Sequence, residues 1–276
     1  MLSPFLLFFS YMVLAPLAAT VLYSFTDYSL TSTSFQFVGL KNYFRLPQDS
    51  AFVRAFSNTV YYAAVSVVSL TALGFLTAAA LKQGFRGVSF IRMLMISPYA
   101  TSMTCVSMIW LMMFDPLSGF LNKALRSLSL PSALWLFDEA MALNCLIFVN
   151  IWKNTGYCML IYLSGMQTIP EELYEAATVD GAGERMKLIK ITLPMIRPVM
   201  LFVFITTTIS SFMTYDQVAI MTRGNPRYAT TTIVHQIFTR GFAGDRMGYA
   251  SAMAVVLIIA VLILTAANYK LGSAEE

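Results

Sequence analysis

The chain has 276 residues, of which 58% are hydrophobic, 14% aromatic and only 12% charged, with a formal net charge of +4. A water-soluble domain carries about 25% charged residues, so the composition excludes an ordinary soluble domain and points to lipid as the solvent for much of the chain. The apolar residues are also gathered into long blocks instead of recurring with the period of a soluble helix or strand.

Six blocks are predicted to span the membrane as helices: residues 2–25, 55–81, 93–114, 141–163, 199–218 and 249–269. The first three and the last hold no charged residue, the fourth is interrupted by Lys153, and the fifth carries Asp216 near its end. Each is long enough to cross about 30 Å of hydrocarbon. Lipid offers backbone N–H and C=O groups no water, and the blocks lack the period-2 pattern of barrel strands, so helices are the consistent choice. The fold class is therefore an all-α polytopic membrane protein with six transmembrane helices. The first block lacks a basic n-region and exceeds the length of a signal h-region, so it is read as a span. Lys and Arg divide almost equally between alternate loops, and the positive-inside rule gives no orientation.

Cys105, Cys145 and Cys158 fall within the predicted spans without a C-x-x-C pair and read as small apolar fillers. His235 has no second imidazole to join it in a metal site. No G-x-x-x-x-G-K-[ST] pattern occurs, so ATP binding of the usual kind is not expected of this chain. Gly181-Ala182-Gly183 follows a helical pattern where a dinucleotide turn needs a strand. With one histidine and no pair of intramembrane carboxylates, hydrolytic or proton-abstracting chemistry lacks its players. No catalytic residue, cofactor or metal site is expected, and the chain is not read as an enzyme.

The segment 167–198, between the fourth and fifth blocks, has the grammar of two short helices. Thr168 followed by Glu171 predicts a capping box, Pro170 sits in the first turn, and Glu171 and Glu172 meet the positive end of the dipole. That helix is expected to run to Val179, with Gly181 supplying the left-handed residue that ends it. A second helix is expected over 184–192, stopping before Pro194.

Within this segment Glu175-Ala176-Ala177, then Asp180-Gly181 and later Leu193-Pro194, match the EAA signature of ABC-importer permeases. Gln167-Thr168-Ile169-Pro170, Leu173-Tyr174 and Met195-Ile196-Arg197-Pro198 resemble the carbohydrate branch of that family, of maltose, lactose and glycerol-phosphate type. The resemblance extends to Thr26-Asp27-Tyr28, Phe37-Val38-Gly39-Leu40-Lys41-Asn42-Tyr43 and Gly248-Tyr249-Ala250-Ser251-Ala252. It departs at Thr222-Arg223-Gly224-Asn225-Pro226, where the family carries a Gly-Gly-Pro ending. The resemblance implies a single permease domain over 1–276 with a type I ABC importer fold in a bacterial inner membrane, its termini and the 167–198 loop in the cytoplasm. It implies cytoplasmic ATPase subunits, a second permease of different sequence and an extracytoplasmic solute-binding protein as partners, with lipid around them and no nucleic acid. Glu175, Ala176, Ala177, Asp180, Gly181, Leu193 and Pro194 become the residues that couple the permease to its ATPase. A secondary transporter or channel for a small polar solute is the competing class, but it needs ion-coupling carboxylates or an inverted repeat, and the two three-helix halves show no echo of one another.

Helical spacing nominates a solute path. Asn150, Lys153, Asn154 and Tyr157 fall at i, i+3, i+4 and i+7, and Thr207, Ser211 and Thr214 repeat that spacing on the fifth block. By resemblance, related permeases contact solute from matching positions on these two helices, which singles out Asn150, Asn154, Tyr157, Thr207 and Ser211. The competing reading is that these hydroxyls and amides bond neighbouring helices. A lysine at a helix centre costs about 2.5–3.5 kcal/mol on insertion scales, so Lys153 is expected to face a wet cavity, where three N–H donors suit an anionic or oxygen-rich solute. It could instead snorkel to an interface or pair with an acidic residue of the second permease.

Overall fold

The computed structural model describes residues 3–32, 34–82 and 84–273, and these are almost entirely helical. α1 spans residues 3–24, in which a π turn, Ser10–Leu14, joins Ser3–Phe9 to Ala15–Ser24. α2 is Ser50–Lys82, whose 33 residues extend about 50 Å at 1.5 Å per residue, well beyond the hydrocarbon thickness. α3 (Val88–Ala100) and α4 (Met103–Met113) share the third predicted span but meet at 98°. α5 is Phe120–Ser127, α6 is Ala142–Gln167, α7 is Glu171–Val179, α8 is Glu184–Met195 and α9 is Arg197–Phe212. α10 (Ile233–Phe238) precedes the last long helix, α11 (Met247–Ser273). Among the described residues the only β pairing is an isolated bridge between Thr26 and Phe37.

Length and apolarity mark three of these helices as able to cross a membrane, α1, α2 and α11, and five crossings result when the bent pairs α3–α4 and α8–α9 each count as one. α6 is long enough at 26 residues, but Asn144, Asn150, Lys153 and Asn154 dilute its apolar character.

Two predicted spans are therefore interrupted. The third breaks at Thr101–Ser102, just after Pro98 inside α3, where a missing N–H weakens the last turn. The fifth stops at Phe212, and helix resumes only at Asp216. The second helix of the 167–198 loop does not end before Pro194. A π turn at Leu188–Thr192 carries it through to Met195, and the chain bends by 68° into α9. Prolines and π turns are the usual sites of such bends.

The core is a helix sandwich in which α2 makes its broadest contact with α6 and a second with α9. One cluster gathers Tyr62, Trp110, Phe114, Leu146 and Val218; another gathers Leu70, Cys158, Met159, Tyr162, Ile196 and Val203. Cys145 and Cys158 are buried fillers, whereas Cys105 is exposed on α4. The loop around α5 is pinned by buried Asn122, which donates to the carbonyls of Pro116 and Ala133 and accepts from Ala133 N and Trp135 Nε1. At the start of α11, Asp245 accepts from Leu30 N at 2.6 Å, Ser29 Oγ at 3.0 Å and Thr31 Oγ1, tying the 26–37 loop to the last helix.

Candidate functional site

The two helix interruptions meet at one place. Between α4, α6 and the 213–217 segment lies a cleft of about 250 Å³ whose wall includes Asn150, Lys153, Asn154, Thr214, Asp216 and Gln217. Irregular backbone at membrane depth is tolerated only where it is buried in protein or lines a wet cavity; the 213–217 break lines the cleft, and the 101–102 break adjoins it through Met103. Asn154 donates its side-chain amide to Asn150 O and to Asn150 Oδ1, each at 2.9 Å, so the two asparagines form one polar step on α6. Gln217 is buried and donates to Tyr62 Oη and, at 3.2 Å, to Thr214 Oγ1.

Lys153 stands in the wall of this cleft, but it does not present a free ammonium. Its residue is only 7% exposed. Its Nζ donates to the carbonyls of Pro98 at 3.1 Å, Tyr99 at 2.9 Å and Thr101 at 2.7 Å, which accounts for all three of its N–H bonds. The expectation of donors aimed at a solute is corrected accordingly: the carbonyls at the end of α3 and at its C-cap lie past the last full helical turn, they carry the negative end of its dipole, and they take the charge. Tyr157 does not line the cleft; its ring stacks on Tyr99 with centroids 4.4 Å apart.

On the fifth block the nominated stripe is rotated away from the cleft. Thr207 is buried and bonds back to Val203 O at 2.7 Å, and Ser211 is buried with no hydrogen-bond partner for its Oγ. The residues of this block that border the cleft are Ser210, Thr214 and Gln217, together with Met213, Tyr215 and Asp216. Their spacing of four and three is as helical as that of 207, 211 and 214, so period alone does not choose between the two faces. The unwinding at 213–215 is what brings Tyr215 and Asp216 to the same wall.

At the far end of α6 the 167–198 segment forms its own unit. The capping box is absent, because Thr168 Oγ1 donates back to Gly165 O at 2.8 Å and Pro170 occupies the N-cap without a side-chain bond. The other end is capped as expected. Gly181 has φ of +78°, Ala182 N donates to Ala177 O at 2.8 Å, and Gly181 N donates to Thr178 O at 3.0 Å, the paired bonds of a Schellman motif. Tyr174 ties the segment down: Lys82 Nζ lies 3.7 Å above its ring and its Oη is 2.9 Å from Thr192 Oγ1. Glu175, Ala176, Asp180, Gly181 and Pro194 are exposed, while Ala177 and Leu193 are half-buried. Leu173, Val179, Met186 and Met195 also stand exposed on this unit.

Residues 70–273 match the family described as the inner membrane component of binding-protein-dependent transport systems. The diacetylchitobiose uptake system permease protein NgcF of Streptomyces coelicolor is 35% identical over 267 residues, which cover 92% of this chain and 76% of NgcF. The sn-glycerol-3-phosphate transport system permease protein UgpA of Escherichia coli is 31% identical over 258 residues, 92% of this chain and 86% of UgpA. A chain in the crystal structure of a bacterial alginate ABC transporter, in complex with an alginate pentasaccharide-bound periplasmic protein, has the same fold, with a TM-score of 0.87 over 97% of this chain and 91% of that one at 22% identity. The family match runs from the middle of α2 to the end of α11, and the chain belongs to the inner membrane components of binding-protein-dependent transport systems, as a multi-pass permease of type I ABC importer fold.

Proposed function

We propose that this permease forms half of an ATP-driven import path for a carbohydrate or a carbohydrate-like solute, with the cleft beside Asn150 and Asn154 as its share of that path. The carrying observation is a polar cleft at two helix interruptions, joined through α6 to an exposed, capped helix. Asn154 and Gln167 are 13 residues apart, about 20 Å along a helix, so α6 works as a rigid rod between the two. Six helical units cross the membrane on this reading, α1, α2, α3–α4, α6, α8–α9 and α11, and residues 1–276 act as one permease domain.

The segment 167–198 lies in the cytoplasm and receives the motion of an ATPase subunit. Glu175, Ala176, Ala177, Asp180, Gly181, Leu193 and Pro194 form the contact, because small side chains let a helix sit deep in a partner's groove and the neighbouring apolar residues stand uncovered. ATP is hydrolysed by that separate subunit. A second permease of different sequence closes the path, and an extracytoplasmic binding protein delivers the solute. Relatives named for diacetylchitobiose and for sn-glycerol-3-phosphate support a sugar or a sugar-sized polyol phosphate as the cargo. Asn150 and Asn154, together with Ser210, Thr214 and Asp216, offer the mixed donors and acceptors that hydroxyl-rich solutes require.

The test uses the assembled transporter in proteoliposomes, with the solute chosen by the melting shift it gives the binding protein. In a background of Cys105→Ser, Cys145→Ala and Cys158→Ala, a hydrophilic maleimide attached at Thr214→Cys is expected to block ATP-driven uptake, while the same label at Leu130→Cys, exposed in the loop after α5, leaves it intact. Full uptake with Thr214→Cys labelled to completion contradicts the path.

A further inference from the structure

A single side chain closes the sharpest bend in this membrane domain. α3 runs into α4 at 98°, and the turn leaves the carbonyls of Pro98, Tyr99 and Thr101 pointing at one spot, with only a 3.3 Å turn bond from Thr101 N to Pro98 O to satisfy them from the backbone. Lys153 Nζ sits at that spot, within 3.1 Å of each. Two more contacts from the same helix fasten the end of α3. Gly156 lies so close to the Met95 carbonyl that a β-carbon there would overlap it and stand 3.0 Å from Ile96 Cα, and Tyr157 stacks on Tyr99. On the other side of the bend, Met103 is the first residue of α4 and part of the cleft wall.

We propose that Lys153 is a positioning residue, whose ammonium locks the α3–α4 joint onto α6 and thereby fixes the α4 wall of the cleft. The physical argument is one of supply. Carbonyls at and just past the negative end of a helix dipole need donors that lipid does not provide and that the backbone supplies here only through the 3.3 Å bond to Pro98 O, and an ammonium on a flexible four-carbon stem brings three of them and a full positive charge. The cation is stabilised in turn, which explains why a lysine is retained on a helix that crosses the membrane. Gly156 and Tyr157 hold α3 in place laterally, but neither supplies a donor, so the angle of the joint rests on Lys153. Its consequence for transport depends on the reading of the cleft as the solute path; the lock itself does not.

The experiment measures the joint directly. In the full transporter, reconstituted in phosphatidylglycerol–phosphatidylethanolamine nanodiscs without nucleotide, spin labels are placed at Leu94→Cys on α3 and Met108→Cys on α4, both exposed positions, in a background of Cys105→Ser, Cys145→Ala and Cys158→Ala. A second pair at Val68→Cys and Ile259→Cys, exposed on α2 and α11, reports on the rest of the bundle. With Lys153→Met the distance distribution across the joint is expected to about double in width as the bend gains a second arrangement, while the α2–α11 distribution stays as in the parent. Lys153→Arg, which keeps the charge and the donors, is expected to restore a narrow distribution, and Lys153→Gln to give an intermediate one. If Lys153→Met does not assemble, the Arg and Gln variants carry the same comparison. An unchanged joint distribution in Lys153→Met and Lys153→Gln, or equal broadening of both label pairs, overturns the proposal.

Discussion

Lys153, Asn154 and Gln217, around the cleft, each spend donors on a partner within the chain, whereas Leu173 and Val179 on α7 stand 42% and 88% exposed. These cleft donors are taken up by the protein itself, while Gln217 Oε1 is buried without a partner. α7 satisfies its backbone through the Schellman bonds at Gly181 and leaves its side chains uncovered. The comparison teaches that the two ends of α6 have different requirements. The cleft is held in shape from inside the chain, and the 167–198 segment leaves apolar side chains uncovered.

The largest effect expected from breaking this comparison comes at Gly181, whose φ of +78° is costly for a β-branched residue, by about 1–2 kcal/mol or more. Gly181→Val is expected to lower ATP-driven uptake about tenfold or more, with insertion of the chain and solute affinity of the binding protein unchanged. Gly181→Asn, which tolerates the left-handed region, is expected to keep most of the activity. Uptake and solute-stimulated ATP hydrolysis at parental rates in Gly181→Val, measured in proteoliposomes, contradict the role of the capped helix.

A smaller effect is expected where the segment is tied to the membrane domain. Tyr174→Leu removes both the ring beneath Lys82 and the hydroxyl beside Thr192; a cation–π contact of about 0.5–1 kcal/mol and a hydrogen bond of about 1 kcal/mol give a loss near 1.5–2 kcal/mol. Tyr174→Phe keeps the ring and is expected to lose about half of that. Thermal unfolding of the detergent-purified chain separates the two, and equal melting of both variants and the parent removes the tie from the account.

The smallest effect belongs to the opposite face. Hydrogen bonds from Thr31, Leu30 and Ser29 hold the Asp245 carboxyl below its usual range. A depressed folded-state value means that the carboxylate's stabilisation is fully present above the ordinary Asp range near 3.9 and is lost as pH falls through the lowered value. Asp245→Asn is expected to lower the melting temperature slightly at neutral pH, where the carboxylate's contribution is fully present, and to flatten the acid limb below about pH 4. An acid limb of parental steepness would show that the 26–37 loop is held by other contacts.

The helices themselves were legible in the sequence because long apolar blocks admit one solution in lipid, and the cap at Gly181 was legible because a helix end is a local event. Three residues after Val179 suffice to read it. The break at 101–102 was not legible, since Pro98 weakens a turn without setting a 98° angle, and that angle depends on Lys153 some fifty residues later. The face of the fifth block was misjudged for a related reason. Thr207 and Ser211 share a helical period with Thr214 but face the packed side of α9, Ser210 and Thr214 border the cleft, and the interruption at 213–215 adds Tyr215 and Asp216 to its wall. The missing capping box at Thr168 is a competition lost locally, its hydroxyl going to the last turn of α6 instead of the first of α7.

The central claim, that solute passes the Asn150–Asn154 step, is tested most directly by the solute dependence of ATP-driven uptake in Asn154→Leu. The substitution removes the amide that donates to Asn150 and leaves α7, α8 and the Lys153 lock untouched. The account predicts a half-saturating concentration raised about tenfold, the equivalent of about 1.4 kcal/mol of lost contact, with the maximal rate within about twofold of the parent. A half-saturating concentration and maximal rate equal to those of the parent would contradict it.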